Sequence, residues 1–526
     1  MKKSLSILLC LVLMLSFAAC GTNPASTNEE PASTAAGAPQ QPDPTAQVEE
    51  DPFAEPVELL MFSSGSSGQD TEMVMEKINE KLKERCNTTI KVTCLGWDNY
   101  ENRYNLILTS GEAADLLYVN PKLYDRYAAT GAFTDLTELF PALMPQTYSL
   151  FTDTQLQQMK VNGQIYMIPS HEKNFSQNGI LYRLDLAKKY GISEINSIET
   201  LESYMDAIAQ NETDIRAIDG NPEQALFQLF KAYYGFEAIA GSNSSIIMIK
   251  SYDDIHNIVA YPFTEEYLAW AKKMKDWADK GYWSSNALSS TMDPWSSIEV
   301  GTSAITQANA DGAKNKIKKM ADKLPDAECG YWSFADLTGY SFVNPVTENG
   351  YAIPKSSPNA ERALRVLEII KNDQQLFDLW MYGIEGYHFD LDDNGNLIRP
   401  AKGQDPATVN THSMSGAQYA MRVSTLMRND ADVWSGYPDL VAKLESMEKP
   451  NKFGTATLDY TAVQAELAAV TQVIQQYGYP INVGIVDDVD KAVEEYRNQL
   501  KAAGIDKLLS VVSEQMEAYY TANNIA

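Results

Sequence analysis

The chain has 526 residues, 44% of them apolar and 21% charged, a globular composition with room for two or three ordinary domains. Its formal net charge of -28 at pH 7 excludes nucleic acid and anionic lipid as natural partners, since both would repel such a surface. The acidic surplus serves solubility.

The first twenty residues read as an export signal: Lys2-Lys3, an apolar run from Leu5 to Leu15, then Ser16-Phe17-Ala18-Ala19. An apolar run of about a dozen residues is too short to span hydrocarbon, which sets aside a transmembrane anchor. Cys20, directly after Ala18-Ala19, resembles the bacterial lipobox, although Phe17 stands where that motif prefers Leu. The resemblance implies lipidation of Cys20 and a mature chain that starts there, with 1–19 removed as the signal peptide. Residues 20–56 then form a tether rich in Pro, Ala, Ser, Thr and acids, without Lys, Arg or any aromatic residue until Phe53. Such a stretch cannot bury enough apolar surface to offset its ordering entropy, and it spans roughly 35 Å. Two acyl chains would hold it stably at a membrane.

The folded part opens with a strand at Val57–Phe62, the loop Ser63–Gly68, a helix over Glu72–Cys86 and a strand at Thr88–Leu95. A second helix over Trp97–Thr109 and a strand at Asp115–Val119 repeat the unit, which predicts a mostly parallel sheet with covering helices. Further strands are expected at Val161–Pro169, Gly179–Tyr182 and Gly301–Ala308. Helices are expected at Arg183–Gly191, Ser197–Ala209, Thr264–Gly281 and Ala360–Lys371. Three helices close the chain at Asp459–Tyr477, Asp488–Ala503 and Ile505–Tyr520. Beyond the signal and Cys20 the cysteines are Cys86, Cys94 and Cys329; an oxidising exterior allows a local Cys86–Cys94 disulfide, and nothing resembles a zinc framework. Asp390-Leu391-Asp392-Asp393-Asn394-Gly395 begins like a calcium loop, but position twelve is Ala401 rather than Glu, and a hairpin turn at Asn394-Gly395 accounts for the same residues. No metal and no cofactor is expected.

Several stretches in this order look like family 1 extracellular solute-binding proteins, the capture subunits of ABC-type sugar importers. They are Ser110-Gly111-Glu112-Ala113-Ala114-Asp115-Leu116, Gly131-Ala132-Phe133-Thr134-Asp135-Leu136-Thr137, Asn162-Gly163-Gln164-Ile165-Tyr166-Met167-Ile168-Pro169 and Tyr182-Arg183-Leu184-Asp185-Leu186. Tyr382-Gly383-Ile384-Glu385-Gly386-Tyr387-His388-Phe389 and Lys501-Ala502-Ala503-Gly504-Ile505-Asp506-Lys507 resemble a branch of large Gram-positive lipoproteins with an extended C-terminal helical region. The resemblance implies an α/β, two-lobed periplasmic-binding-protein-like fold of type II, with an interlobe ligand cleft, hinge crossings and C-terminal helices. By analogy the crossings fall near Asn174–Asn178, Gly350–Ala352 and Gly383–Tyr387. Lobe 1 is then 57–175 plus 352–384, and lobe 2 is 176–351 plus 385–526 with the C-terminal helical region.

Sugar recognition needs aromatic faces and planar polar side chains in a concave cleft. Ser63 and Gly65 follow the first strand at its carboxyl end, where open α/β sheets bind ligands, although a plain loop fits equally. Trp97 follows the second strand and Asn120 the third, where Asn120 serves a hydroxyl or caps the next turn. His171 and Glu172 precede the first crossing, and Asn309 ends a buried strand. Trp295, Trp332 and Trp434 stand in polar, turn-rich surroundings suited to stacking on sugar. Glu385 and Tyr387 serve ligand or hinge.

The combined expectation is a non-enzymatic, monomeric protein, lipid-anchored on the outer face of the cell membrane, that passes a carbohydrate, an oligosaccharide, to an ABC permease. The rivals are an exported glycan-active enzyme, for which paired carboxylates are available but no hydrolase or metalloprotease motif, and a lipoprotein for a non-sugar solute or a partner protein.

Overall fold

The strands Val57–Ser64 and Thr88–Leu95 pair in parallel along their whole length, Val57 opposite Thr88 and Ser64 opposite Leu95. The helix between them, Thr71–Cys86, buries Val74, Met75, Ile78 and Leu82 and stops at Asn87, whose φ of 46° takes the left-handed conformation that ends helices. In the computed structural model, which describes residues 51–239, 246–453, 456 and 458–525, these strands begin a five-stranded sheet. Leu116–Val119 lies beside the first strand, followed by Gly350–Ala352 and Met167–Pro169.

The expectation of a mostly parallel sheet holds here, since the first three strands and Met167–Pro169 run the same way. Gly350–Ala352 runs antiparallel to both neighbours, because the chain re-enters this lobe from the end where the other strands finish. Alternation sorts the side chains onto two faces. Leu59, Met61, Leu116 and Tyr118 pack with the helices Thr71–Cys86, Ala360–Lys371, Gln374–Tyr382 and Gly416–Met421. Phe62, Leu117 and Val119 pack with Tyr100–Ser110 and Pro121–Ala129.

The second lobe is built on antiparallel sheets. Asn178–Arg183 lies between Ile305–Asn309 and Cys329–Ser333, and a separate sheet joins Glu237–Ala238, Ile247–Ser251 and Asp254–Ala260. Their core is shared with Ile198–Asn211, Glu223–Tyr234 and Glu265–Asp279, and with the last helices, Gln464–Val473, Val489–Ala502 and Ile505–Ala522. Among the described residues no helix is long and apolar enough to cross a membrane.

Three crossings join the lobes. Two run side by side, the second at Phe342–Asn344 and not at Gly350–Ala352, which is a strand of the first sheet: Phe175 bridges Val343 antiparallel, Ser176 N donates to Phe342 O at 3.0 Å and Asn344 N donates to Asn174 O at 2.8 Å. The third lies after Ala431, whose N–H still donates to Leu397 O in the first lobe, and before the helix Tyr437–Ser446, which packs on Ala310–Lys323 of the second. Residues 385–430, expected in the second lobe, therefore stay with the first. Their helix Gly416–Met421 packs on the first sheet, where Ser63 Oγ accepts Ala417 N at 2.7 Å and donates to Met414 O at 3.1 Å.

The Cys86–Cys94 disulfide is also corrected: both thiols are free. Cys86 ends a helix just before the strand Thr88–Leu95 and Cys94 sits near that strand's far end. Six strand residues at about 3.3 Å each exceed the 7 Å or so that a disulfide spans between Cα atoms. Asp390–Leu391 and Leu397–Ile398 form a hairpin, and Asp392 Oδ1 accepts Asn394 N at 2.9 Å and Asn396 N at 2.8 Å, closing the turn on itself. Cys20 lies outside the described residues.

Candidate functional site: the interlobe cleft

The first-lobe wall grows from the carboxyl ends of its parallel strands. Gly65 follows the first strand with φ +95°, and its N–H donates to Leu95 O at 2.6 Å. A side chain here would collide with Ser415 and reach the Trp97 indole nitrogen, so glycine is what lets the ring lie over the backbone. Trp97 is 51% exposed, an unusual state for so large an apolar group, and is held edge-on by Tyr100 at 5.6 Å and Tyr118 at 6.3 Å. Ser415 holds φ 42° and ψ -111°, a conformation that costs a non-glycine residue about 1–3 kcal/mol. Its Oγ accepts Ser66 N at 3.1 Å and donates to Ser66 O at 3.0 Å, fixing the loop beneath the indole.

The floor carries charge. Glu172 is paired with Arg422 at 2.9 Å and 3.1 Å, and the Arg422 guanidinium lies 4.8 Å from the ring centre of Tyr419, which is itself exposed. Burial pushes the Glu172 carboxyl above its usual range, Arg422 draws it back, and Asp311 of the second lobe pushes it up again. Tyr118 OH donates to Asn349 Oδ1 at 2.8 Å, and Glu348 acts on the same hydroxyl, so the turn after the second crossing supplies this part of the floor. Beneath it, Lys371 Nζ is fully buried and donates to Ala420 O at 2.8 Å and Met421 O at 3.2 Å. Burial lowers this amine to about 7.

The second-lobe wall follows from the strand Ile305–Asn309 and the helix Ala310–Lys323. Asn309 caps that helix through Gly312 N at 2.8 Å. Tyr437 OH donates to Asp311 Oδ1 at 2.5 Å, and Lys314 Nζ sits 4.3 Å from the Tyr437 ring centre. The electrostatic reach of Glu172 and Arg422 to Tyr437 shows that both walls meet at this floor. Trp295, 37% exposed, lies against Gly312 and has Lys316 Nζ 4.4 Å from its ring centre. Planar amides continue the wall: Gln307 donates to Asn178, and Asn178 donates to Gln228 Oε1 at 3.4 Å.

Of the expected residues, Gly65, Trp97 and Glu172 stand on the first lobe and Trp295 and Asn309 on the second. Ser63 is fully buried behind the wall and saturated with backbone hydrogen bonds. Asn120 caps Pro121–Ala129 through Leu123 N at 3.1 Å and donates to Tyr100 OH, so it supports the wall from behind. His171 is held in the approach to the first crossing by Ser424 and Phe151. Trp434 packs on Tyr331 in the third crossing. Trp332, expected to stack on ligand, is 2% exposed in the second-lobe core; its strand alternates, with Trp332 inward beside Ile180 and Tyr331 on the other face. Glu385 and Tyr387 belong to none of the three crossings: they sit in a first-lobe loop where Tyr387 neighbours Asp70 and His388. Sequence reasoning missed Tyr118, Glu348, Ser415, Tyr419 and Arg422, which reach the cleft only through long-range packing.

The family described as bacterial extracellular solute-binding protein matches residues 65–376, and a domain of unknown function matches residues 454–521. A carbohydrate ABC transporter substrate-binding protein of Streptococcus pneumoniae serotype 4 is 23% identical over 474 residues, 88% of this chain and 90% of its own. The crystal structure of an N-glycan transport solute binding protein from Streptococcus pneumoniae superposes with a TM-score of 0.74 at 20% identity, covering 89% of this chain and 99% of that one. An alginate-binding protein, solved without calcium ion, gives 0.60 at 16% identity, covering 88% and 98%. These solved structures share the fold of two α/β lobes around a cleft.

Proposed function

The chain belongs to the bacterial extracellular solute-binding protein family, and on that premise we propose that it is the carbohydrate-capturing subunit of an ABC importer, taking an oligosaccharide between its lobes and delivering it to the permease. The observation that carries the reading is the exposed Trp97 ring over Gly65, a platform for the C–H face of a pyranose. Trp295 offers a second platform on the opposite lobe, and the amides and carboxylates between them suit hydroxyl groups. The names of the relatives, a carbohydrate transporter subunit and an N-glycan transport protein, support the same class. A ligand touching both walls favours the closed form by its differential affinity, and the closed form is what the permease reads. The protein works as a monomer without catalysis.

Calorimetry against a panel of neutral and acidic oligosaccharides, with product analysis of each mixture, tests this. Saturable binding of an oligosaccharide that is recovered intact is expected. Turnover of a glycan, or tight binding of a peptide with no sugar bound, would overturn it.

We further propose that export and lipidation at Cys20 hold the protein at the outer membrane face on its 20–56 tether. Cys20→Ala should release protein into the medium and impair uptake while leaving solute affinity within about twofold, because the anchor acts through local concentration alone. A fall in affinity itself would contradict that division of labour.

A further inference from the structure

We infer that the cleft selects an uncharged oligosaccharide and that Glu348 is the residue that turns acidic sugars away. The inference rests on the cleft being a glycan site. Among the described residues, Lys371 is sealed beneath the floor on backbone carbonyls, and the cations that border the cleft are matched by acids. Arg422 pairs with Glu172 at 2.9 Å, and Lys314 with Asp311 at 3.3 Å. Lys316 is buried against Glu299 at 3.2 Å, while Lys318 reaches Asp432 at 2.9 Å and Asp430 at 3.5 Å. Lys173 at the first crossing reaches Glu448 at 3.1 Å. A uronate, sialate or sulfate entering here finds no cation that is not already committed, and taking one would strand its acidic partner.

Glu348 has no such match. It ends the short helix Val346–Glu348 just after the second crossing, next to Asn349 and acting on the Tyr118 hydroxyl, partly buried, and no ion pair reaches it among the described residues. Burial raises its carboxyl above the usual range, as expected for a charge without a counter-ion. An unmatched carboxylate accepts hydroxyl hydrogens well and repels a second carboxylate, so it favours a neutral polyol and disfavours an acid of the same shape. The alginate-binding protein shows that this fold can house an acidic glycan, so the choice belongs to the residues of the cleft and not to the architecture.

The test takes the best neutral oligosaccharide from the panel and its C6-oxidised uronate form, which keeps the ring and changes one hydroxymethyl group to a carboxylate. Both are titrated into the full chain and into Glu348→Gln, at low and at high salt. The uronate form should bind the native chain roughly 100-fold more weakly, and the neutral-to-acid affinity ratio should fall about tenfold or more in Glu348→Gln. The native ratio should also shrink with salt, which loss of a single hydroxyl contact would not cause. Equal affinity for the two forms overturns the selectivity, and an unchanged ratio in a variant with native near-ultraviolet circular dichroism overturns the role of Glu348. Both leave carbohydrate capture standing. If no sugar of either kind binds and a peptide does, capture itself has failed.

Discussion

Deleting residues 459–526 should abolish folding of the second lobe, although a separate domain of unknown function matches most of that segment. Its helices are not an appendage. Val493, Tyr496 and Leu500 pack into the same core as Tyr267, Trp270, Met274 and Trp277, and Leu508, Val512, Met516 and Tyr520 complete the core above the strand Asp254–Ala260. Polar ties cross the same boundary. Trp283 Nε1 donates to Val483 O at 2.9 Å, Tyr267 OH donates to Asn482 Oδ1 at 2.9 Å, and Arg497 reaches Pro262 O at 2.6 Å and Thr264 O at 2.8 Å. At roughly 1.5–3 kcal/mol per buried apolar side chain, the lost burial amounts to tens of kcal/mol. A domain's net stability is only about 5–15 kcal/mol. The expected result is insoluble protein, or soluble protein without near-ultraviolet circular dichroism. A truncated chain that melts cooperatively with a native spectrum would show the C-terminal helices to be a separate module.

The second large effect separates two tryptophans that look alike in sequence. Trp97→Ala should weaken oligosaccharide binding by about 1–3 kcal/mol, roughly 5- to 150-fold, while costing about 1 kcal/mol of stability, because half of the ring already faces solvent. Trp332→Ala should do the opposite, costing about 3–5 kcal/mol of stability through the cavity left in the second-lobe core. Trp332→Phe should recover much of that loss, since the indole Nε1 is buried without a hydrogen-bond partner in the protein and its removal forfeits no bond. Calorimetry and thermal melts on the three variants separate the roles. Native affinity in Trp97→Ala would remove the platform on which the proposed function rests.

Much of the fold is legible in the chain. The helix Ala360–Lys371 spans the residues its apolar stripe predicts, and the first two strands and the helix between them fall within two residues of expectation. Local periodicity suffices there because each element buries one face against its immediate neighbours. The cleft is less legible because its parts meet across long sequence distances. Gly65 and Trp97 are visible as residues after strand ends, but Ser415 and Arg422 lie in a segment without strong periodicity, and only bonding to Ser66 and pairing with Glu172 bring them in. The third crossing was misplaced for the same reason. Nothing local distinguishes residues 383–387 from 431–436, and what decides is that Gly416–Met421 finds its apolar cover on the first sheet. Trp332 misled because its polar neighbours in sequence point away from it, as a strand's alternation requires.

The position of Gly350–Ala352 between Leu116–Val119 and Met167–Pro169 also sets an order of events. As the chain emerges, its first strands cannot close their sheet until more than 170 further residues have followed Met167–Pro169, and one face of the sheet is not fully covered until Gly416–Met421 arrives. The lobe that begins the fold is therefore finished after most of the other has been made. Pairings of such long sequence separation form slowly, and nascent chains of intermediate length carry unpaired strand edges. The first lobe can settle once the chain has reached Ala431, whereas the second must wait for the helices that end at Ala522.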